Sequence, residues 1–198
     1  LEGAGESKSY VILQVLDNVR SENRFMRYNI TSGEWSLTHT LRGEGVASIS
    51  ASGVNGYRTD EIWTTSSSYT MPTTYSLAHA ERPTKQEKLK ALPAFYDVTG
   101  LLSEQYEAIS LDGTKVPYFL VRRADMKMDG STPTLLYGYG GFEISMTPGY
   151  AATVGVGWLE AGYAYAVANI RGGGEFGPSW HQAALKEKRH KAYEDFEA

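Results

Sequence analysis

The segment Tyr137-Gly138-Tyr139-Gly140-Gly141-Phe142 places three glycines and three aromatic side chains in six residues, directly after the apolar pair Leu135-Leu136. Glycine costs backbone entropy, and exposed aromatic rings invite association. The loop must therefore do something that ordinary turn residues could not. A second cluster, Arg171-Gly172-Gly173-Gly174-Glu175-Phe176-Gly177, sets Gly172, Gly174 and Gly177 at the G-x-G-x-x-G spacing of dinucleotide-binding loops. Glu175 puts a carboxylate where a pyrophosphate would lie, and Pro178 removes an N–H where phosphate needs donors. The acidic residues Glu194 and Asp195, about twenty positions on, fall in a helical pattern and not at a strand end. A lone match to this spacing is weak evidence for a nucleotide site. Nucleotide binding stays as an alternative.

Other candidates carry less. The four histidines, His39, His79, His181 and His190, show no metal-ligand spacing, and without cysteine the chain has no thiolate sites or disulfides. His181 and His190 stand among Lys and Glu of a helical pattern, where a solvated or interface role is the default. Ser179 in Gly177-Pro178-Ser179-Trp180-His181 departs from G-x-S-x-G at its last position, and as a helix-entry serine it suits a local backbone role. Asn29-Ile30-Thr31 matches a glycosylation sequon but is explained as a turn. Neither G-x-S-x-G nor a P-loop occurs, and no cofactor or metal is expected.

These residues need elements to hold them. The 198 residues are 41% hydrophobic with a net charge of −4, which suits one large or two small globular domains. That charge leaves no footprint for nucleic acid, no Lys/Arg run suggests a membrane surface, and no apolar run is long enough to span a bilayer. Six strands are expected before residue 95, at 9–16, 24–30, 34–41, 46–52, 61–68 and 73–80, with the turn Asn29–Gly33 closing a hairpin. Such spacing fits a sandwich, barrel or propeller, and no repeat selects among them. Residues 81–93 read as an exposed charged connector.

The pattern then changes. Residues 103–110 and 116–123 form a hairpin around Leu111-Asp112-Gly113-Thr114, and 132–139 and 163–170 read as buried strands. Helices are expected over 147–161, with Pro148 early and Gly162 just beyond, and over 178–198, opened by Pro178. Strand, helix, strand, helix implies a parallel α/β sheet.

The two motif-bearing runs, Thr134–Tyr150 and Ala166–Phe196, resemble the prolyl oligopeptidase family of serine peptidases in order and separation. The resemblance covers about Asp97 to the C-terminus and is weaker before it. It implies a mixed fold: a partial β-propeller over 1–97, then over 98–198 the N-terminal part of an α/β-hydrolase domain. It implies hydrolysis of short peptides after proline through an acyl-enzyme, without cofactor. Tyr139 matches the family's oxyanion tyrosine, and Phe142 matches the phenylalanine lining the pocket for the residue before the cleaved bond. Gly138, Gly140 and Gly141 would shape the loop, while Tyr137 suits packing at the strand end. For Arg171–Gly177 the resemblance implies a supporting, non-catalytic crossing from strand to helix, with Arg171 and Glu175 ion-paired.

By the same resemblance the serine, aspartate and histidine of the triad lie past Ala198, and the chain, which lacks an initiating Met, is expected to be an internal fragment, inactive alone and exposing an open sheet edge. An oligopeptidase B-like relative with basic specificity, or a non-catalytic peptide- or nucleotide-binding module, are the alternatives. A short peptide is the expected partner, with neither nucleic acid nor membrane. The expected location is cytoplasmic, with a periplasmic or secreted one left open.

Overall fold

In the computed structural model, which describes residues 1–198, twelve strands form three four-stranded sheets. The chain divides into two units, Leu1–Pro93 with Pro148–Tyr150, and Ala94–Thr147 with Ala151–Ala198.

The first unit holds two antiparallel meanders. One runs through β1 (Gly3–Glu6), β2 (Val11–Asp17), β3 (Arg20–Asn29) and β4 (Glu34–Arg42). The other runs through β5 (Ala47–Gly53), β6 (Glu61–Ser68), β7 (Thr74–His79) and β8 (Arg82–Ala91). Four-stranded meanders of this kind are the repeating unit of propellers. Their inward residues meet in one core: Tyr10, Ile12, Phe25 and Leu41 from the first sheet, Ile49, Ala51, Ile62 and Ala78 from the second. Asn23, fully buried in β3, ties them by donating to the Ile49 carbonyl and accepting from the Ala51 N–H, both at 3.0 Å. At the β3–β4 turn, Asn29 Oδ1 accepts from the Thr31 and Ser32 amides, so the sequon residue is at work as a turn former.

Two features differ from the sequence-based expectation here. The 81–93 stretch is exposed but is strand β8, paired with β7, not a connector. Its Lys85, Glu87, Lys88 and Lys90 sit on a sheet edge, where charge discourages pairing with another chain. The short strand β1 had no pattern of its own and forms by pairing with β2.

The second unit is built on a mixed sheet of order β11-β12-β10-β9. The hairpin β9 (Leu101–Ile109) and β10 (Lys115–Arg123) is antiparallel, as is β10 with β12 (Ala164–Ala168). Only β11 (Thr134–Gly138) and β12 run parallel, with Leu136 opposite Ala166. The parallel pairing expected between the strands at 132–139 and 163–170 is thus present, within a sheet made mixed by the antiparallel β9–β10 and β10–β12 pairs. β12 is buried, but β11 is an edge strand whose Leu135, Leu136 and Tyr137 are exposed, against the expectation that both its faces are covered.

Helices are shorter than the pattern implied. Residues 147–161 yield α1 (Ala152–Val154) and a π-helical turn, Gly155–Leu159, because Gly155, Gly157, Val154 and Val156 are weak helix formers. Residues 178–198 break into α2 (Pro178–Gln182), a 3₁₀ turn at Lys186–Lys188 and α3 (His190–Glu197). Leu185 is extended and Lys186 left-handed, φ 50°, despite good helix formers around them. Packing prevails over propensity, since Ala184 and Ala192 on either side of the break are buried against Val116, Ala168 and Ile170.

Candidate active site

Binding sites in α/β sheets lie beyond the carboxyl ends of parallel strands. Here the loop after β11 begins at Tyr139, and the loop after β12 carries Arg171–Gly177. The two glycine motifs are thus brought to the same end of the sheet, and they interlock. Gly140 has φ 58°, and a Cβ there would lie 2.5 Å from the Ile170 side chain and 2.8 Å from the Arg171 carbonyl oxygen. Gly172 has φ 99°, and its Cβ would lie 2.3 Å from the Gly140 oxygen. Backbone lies directly on backbone, a contact only glycine permits.

This packing explains the second glycine cluster and weighs against a dinucleotide. The face that a pyrophosphate would need is taken by carbonyl oxygens, which repel an anion.

At the tip, the Ile144 N–H donates to the Gly141 carbonyl at 3.0 Å, closing a turn whose central residues Phe142 and Glu143 are both left-handed, φ 52° and 57°. Such conformations in non-glycine residues cost about 1–2 kcal/mol each and gather at functional sites. Phe142 is 83% exposed and Tyr139 is 39% exposed. Neither ring is used as core. Tyr137 is 44% exposed, so it packs the sheet edge no better than Tyr139 does. Gly138 faces Phe196 and the Ala168 carbonyl, whereas a side chain at Gly141 would meet nothing closer than the Tyr139 ring, at 3.6 Å.

Behind the loop stands an ion cluster in which Arg171 and Asp195 are buried while Asp112 and Lys191 reach the surface. The Arg171 guanidinium donates to Asp195 at 2.6 Å, to Asp112 at 2.6 Å and to Ser110 at 3.2 Å, and Lys191 reaches Asp112 at 3.1 Å. The Asp195 carboxylate also accepts the Arg171 amide at 2.8 Å. The anticipated Arg171–Glu175 pair does not form, because Arg171 turns toward α3. Glu175 instead accepts the Met146 N–H at 3.0 Å and the Asn169 amide at 3.2 Å, bracing the two loops together. The hydrogen bonds that Arg171 donates to Asp195 raise its own pKa, and those it donates to Asp112 hold that carboxyl well below the usual carboxylate range.

His181 differs from its solvated default, whereas His190 is exposed as expected. His181 is part-buried, its Nδ1 2.6 Å from the Gly172 carbonyl. Ser179 has the local backbone role expected of it: α2 is capped at Gly177, not at the serine, and the serine hydroxyl donates to the Phe176 carbonyl at 3.5 Å.

Comparisons with known proteins find similar peptidases. The model of the prolyl oligopeptidase family matches residues 152–198. An uncharacterised peptidase of Sinorhizobium fredii is 46% identical over 99% of this chain. A solved prolyl endopeptidase superposes with a TM-score of 0.86 at 34% identity, over 99% of the chain. The chain belongs to the prolyl oligopeptidase family. It spans 26% of the Sinorhizobium protein and 28% of the solved prolyl endopeptidase. Oligopeptidase B from Leishmania major matches in fold, TM-score 0.83, over all of the chain and 28% of its own, at only 21% identity.

The Arg171 cluster implies a pH dependence. Asp112 has a depressed pKa in the folded state, so its stabilising contribution is complete above its unfolded value, about 3.9, and fades as pH falls through that range. The thermal midpoint should therefore drop on acidification from pH 5 to pH 3, and Asp112→Asn should flatten that slope. An unaltered slope would mean that Asp112 is not held by Arg171 in solution.

Proposed function

We propose that the chain forms part of a serine endopeptidase that cleaves short peptides after proline through an acyl-enzyme. In this reading residues 1–97 are propeller blades and 98–198 the N-terminal part of an α/β-hydrolase domain, the unit β11–α1–β12 carrying the oxyanion loop. Tyr139 donates its phenolic O–H to the tetrahedral oxyanion. Phe142 lines the pocket for the residue before the cleaved bond. Gly138 and Gly140 let the loop lie close on its neighbours, and Gly141 keeps the space beside Tyr139 open.

The observation that carries the reading is a half-exposed tyrosine at the carboxyl end of a parallel strand, on a loop clamped by backbone-to-backbone contact. A phenol fixed in that way is preorganised, and a fixed donor stabilises developing charge without reorganising as the reaction proceeds. Proline specificity is favoured over the basic specificity of oligopeptidase B by identities of 34% and 21% at similar TM-scores. A short peptide is the substrate, and the location is cytoplasmic. No helix is long and apolar enough to cross a membrane.

The 198-residue chain alone is inactive in this proposal. It holds no G-x-S-x-G, and acyl transfer needs a serine with its base. Purified alone, it should neither hydrolyse a chromogenic proline peptide nor take up a serine-directed fluorophosphonate, whereas the full-length protein should do both. Labelling of the short chain at Ser179 together with turnover would move the catalytic centre and overturn the proposal. Faster hydrolysis of an arginine peptide than a proline peptide by the full-length protein would favour the basic specificity.

A further inference from the structure

We propose that Arg189 is a positioning residue for the loop that carries Tyr139, an inference that rests on reading Tyr139 as the oxyanion donor. The Arg189 guanidinium donates through Nη1 to the carbonyl oxygen of Gly140. That oxygen belongs to the peptide unit joining Gly140 to Gly141, and Tyr139 immediately precedes it. A trans peptide is planar, its N–H pointing opposite to its C=O. Holding the Gly140 oxygen therefore fixes the plane of this unit and turns the Gly141 N–H away from the arginine. It also fixes the backbone from which the Tyr139 ring projects.

Three further observations show that Arg189 is built into this place. Its guanidinium is 5.7 Å from the centroid of the Tyr193 ring, a cation–π contact one turn along α3. A Cβ on Gly172 would lie 2.8 Å from Nη1, so the absence of a side chain there keeps the path to Gly140 clear. And Arg189 directly follows the 3₁₀ turn Lys186–Lys188, whose left-handed first residue redirects the segment that carries the guanidinium. Arg189 appears in none of the ion pairs, so its charge is directed at a carbonyl dipole and not at a carboxylate. The neighbouring loop is held in parallel: the Gly172 carbonyl meets His181 Nδ1 at 2.6 Å and accepts the Glu143 N–H at 3.3 Å.

The test uses the full-length enzyme and a proline peptide. Arg189→Met should lower kcat about tenfold, short of the roughly 10²-fold that a misplacement of about 1 Å can cost. KM and the thermal midpoint should stay near their wild-type values. Arg189→Lys retains a cationic donor for the Gly140 oxygen and should recover most of the lost kcat. The double variant Tyr139→Phe with Arg189→Met should be no slower than Tyr139→Phe alone, because the arginine acts through the tyrosine.

If Tyr139→Phe is slow but Arg189→Met keeps full kcat, the inference about Arg189 fails and the reading of Tyr139 stands. If Tyr139→Phe keeps full kcat, the reading of Tyr139 fails, and with it the inference, whatever Arg189→Met does. Losses that multiply in the double variant, or a Lys variant no faster than the Met variant, would also overturn it.

Discussion

Replacing Tyr139 by phenylalanine in the full-length peptidase should lower kcat by roughly 10²–10³, the usual loss for one oxyanion donor, and leave KM little changed. The substitution removes one oxygen and keeps the ring. A Phe side chain can lie over Gly141 as the Tyr does, since the ring contact there is ordinary, with 3.6 Å to a Cβ placed on Gly141. Tyr139 is 39% exposed and outside the core clusters, so little packing energy depends on its hydroxyl. What is lost is an interaction that grows as the carbonyl oxygen becomes an oxyanion, and the ground-state peptide does not make it to the same degree. The rate constant falls and binding does not. Steady-state kinetics with a proline peptide separate the alternatives. A raised KM with full kcat would make Tyr139 a binding residue, and no change in either would make it an ornament of the loop.

The first unit was legible from the chain because half-buried antiparallel strands write their faces into the sequence with period two. Phe25 and Ile62 fall on the inward phase, and Gly33 marks the turn. Strand β8 was hidden because its exposed positions run Thr84 to Ala91 without an apolar phase, and its ladder depends on β7 alone. The helical pattern at 178–198 misled for the opposite reason. Local propensity there is high throughout, and the break at Leu185–Lys186 answers to partners far away in sequence, Ala168 and Ile170. The site divides in the same way. Tyr139, Phe142 and their glycines announce themselves by composition. Arg189 and Asp195 read as ordinary members of a charged helix, and no spacing rule links them to Gly140 or Arg171. The wrong partner chosen for Arg171, Glu175, is the carboxylate nearest in sequence, and the actual ones are 24 and 59 positions away.

Asp195→Ala should therefore be among the most damaging single changes outside the loop, destabilising the second unit by about 3–5 kcal/mol. The Asp195 side chain is wholly buried, and its partner Arg171 is 4% exposed on its side chain. Removing the carboxylate leaves a guanidinium with two fewer acceptor oxygens and no route to water. It also strands the Arg171 amide, which donates to the same carboxylate at 2.8 Å. Against a typical domain stability of 5–15 kcal/mol, that is a large share. The double change Arg171→Met with Asp195→Leu should cost less than Asp195→Ala, because it removes the buried charge along with its partner, and Asp112 retains Lys191 at 3.1 Å. Amide hydrogen exchange reads this locally. In Asp195→Ala the Arg171 amide and the amides of α3 should lose protection, while those of β2 and β3 in the first unit keep theirs. The chemistry should suffer as well: Arg171 directly precedes Gly172, whose backbone lies against the Gly140 oxygen, so a loosened Arg171 loosens the Tyr139 loop. If Asp195→Ala leaves both exchange and kcat unchanged, the buried pair is not what holds the two glycine motifs together.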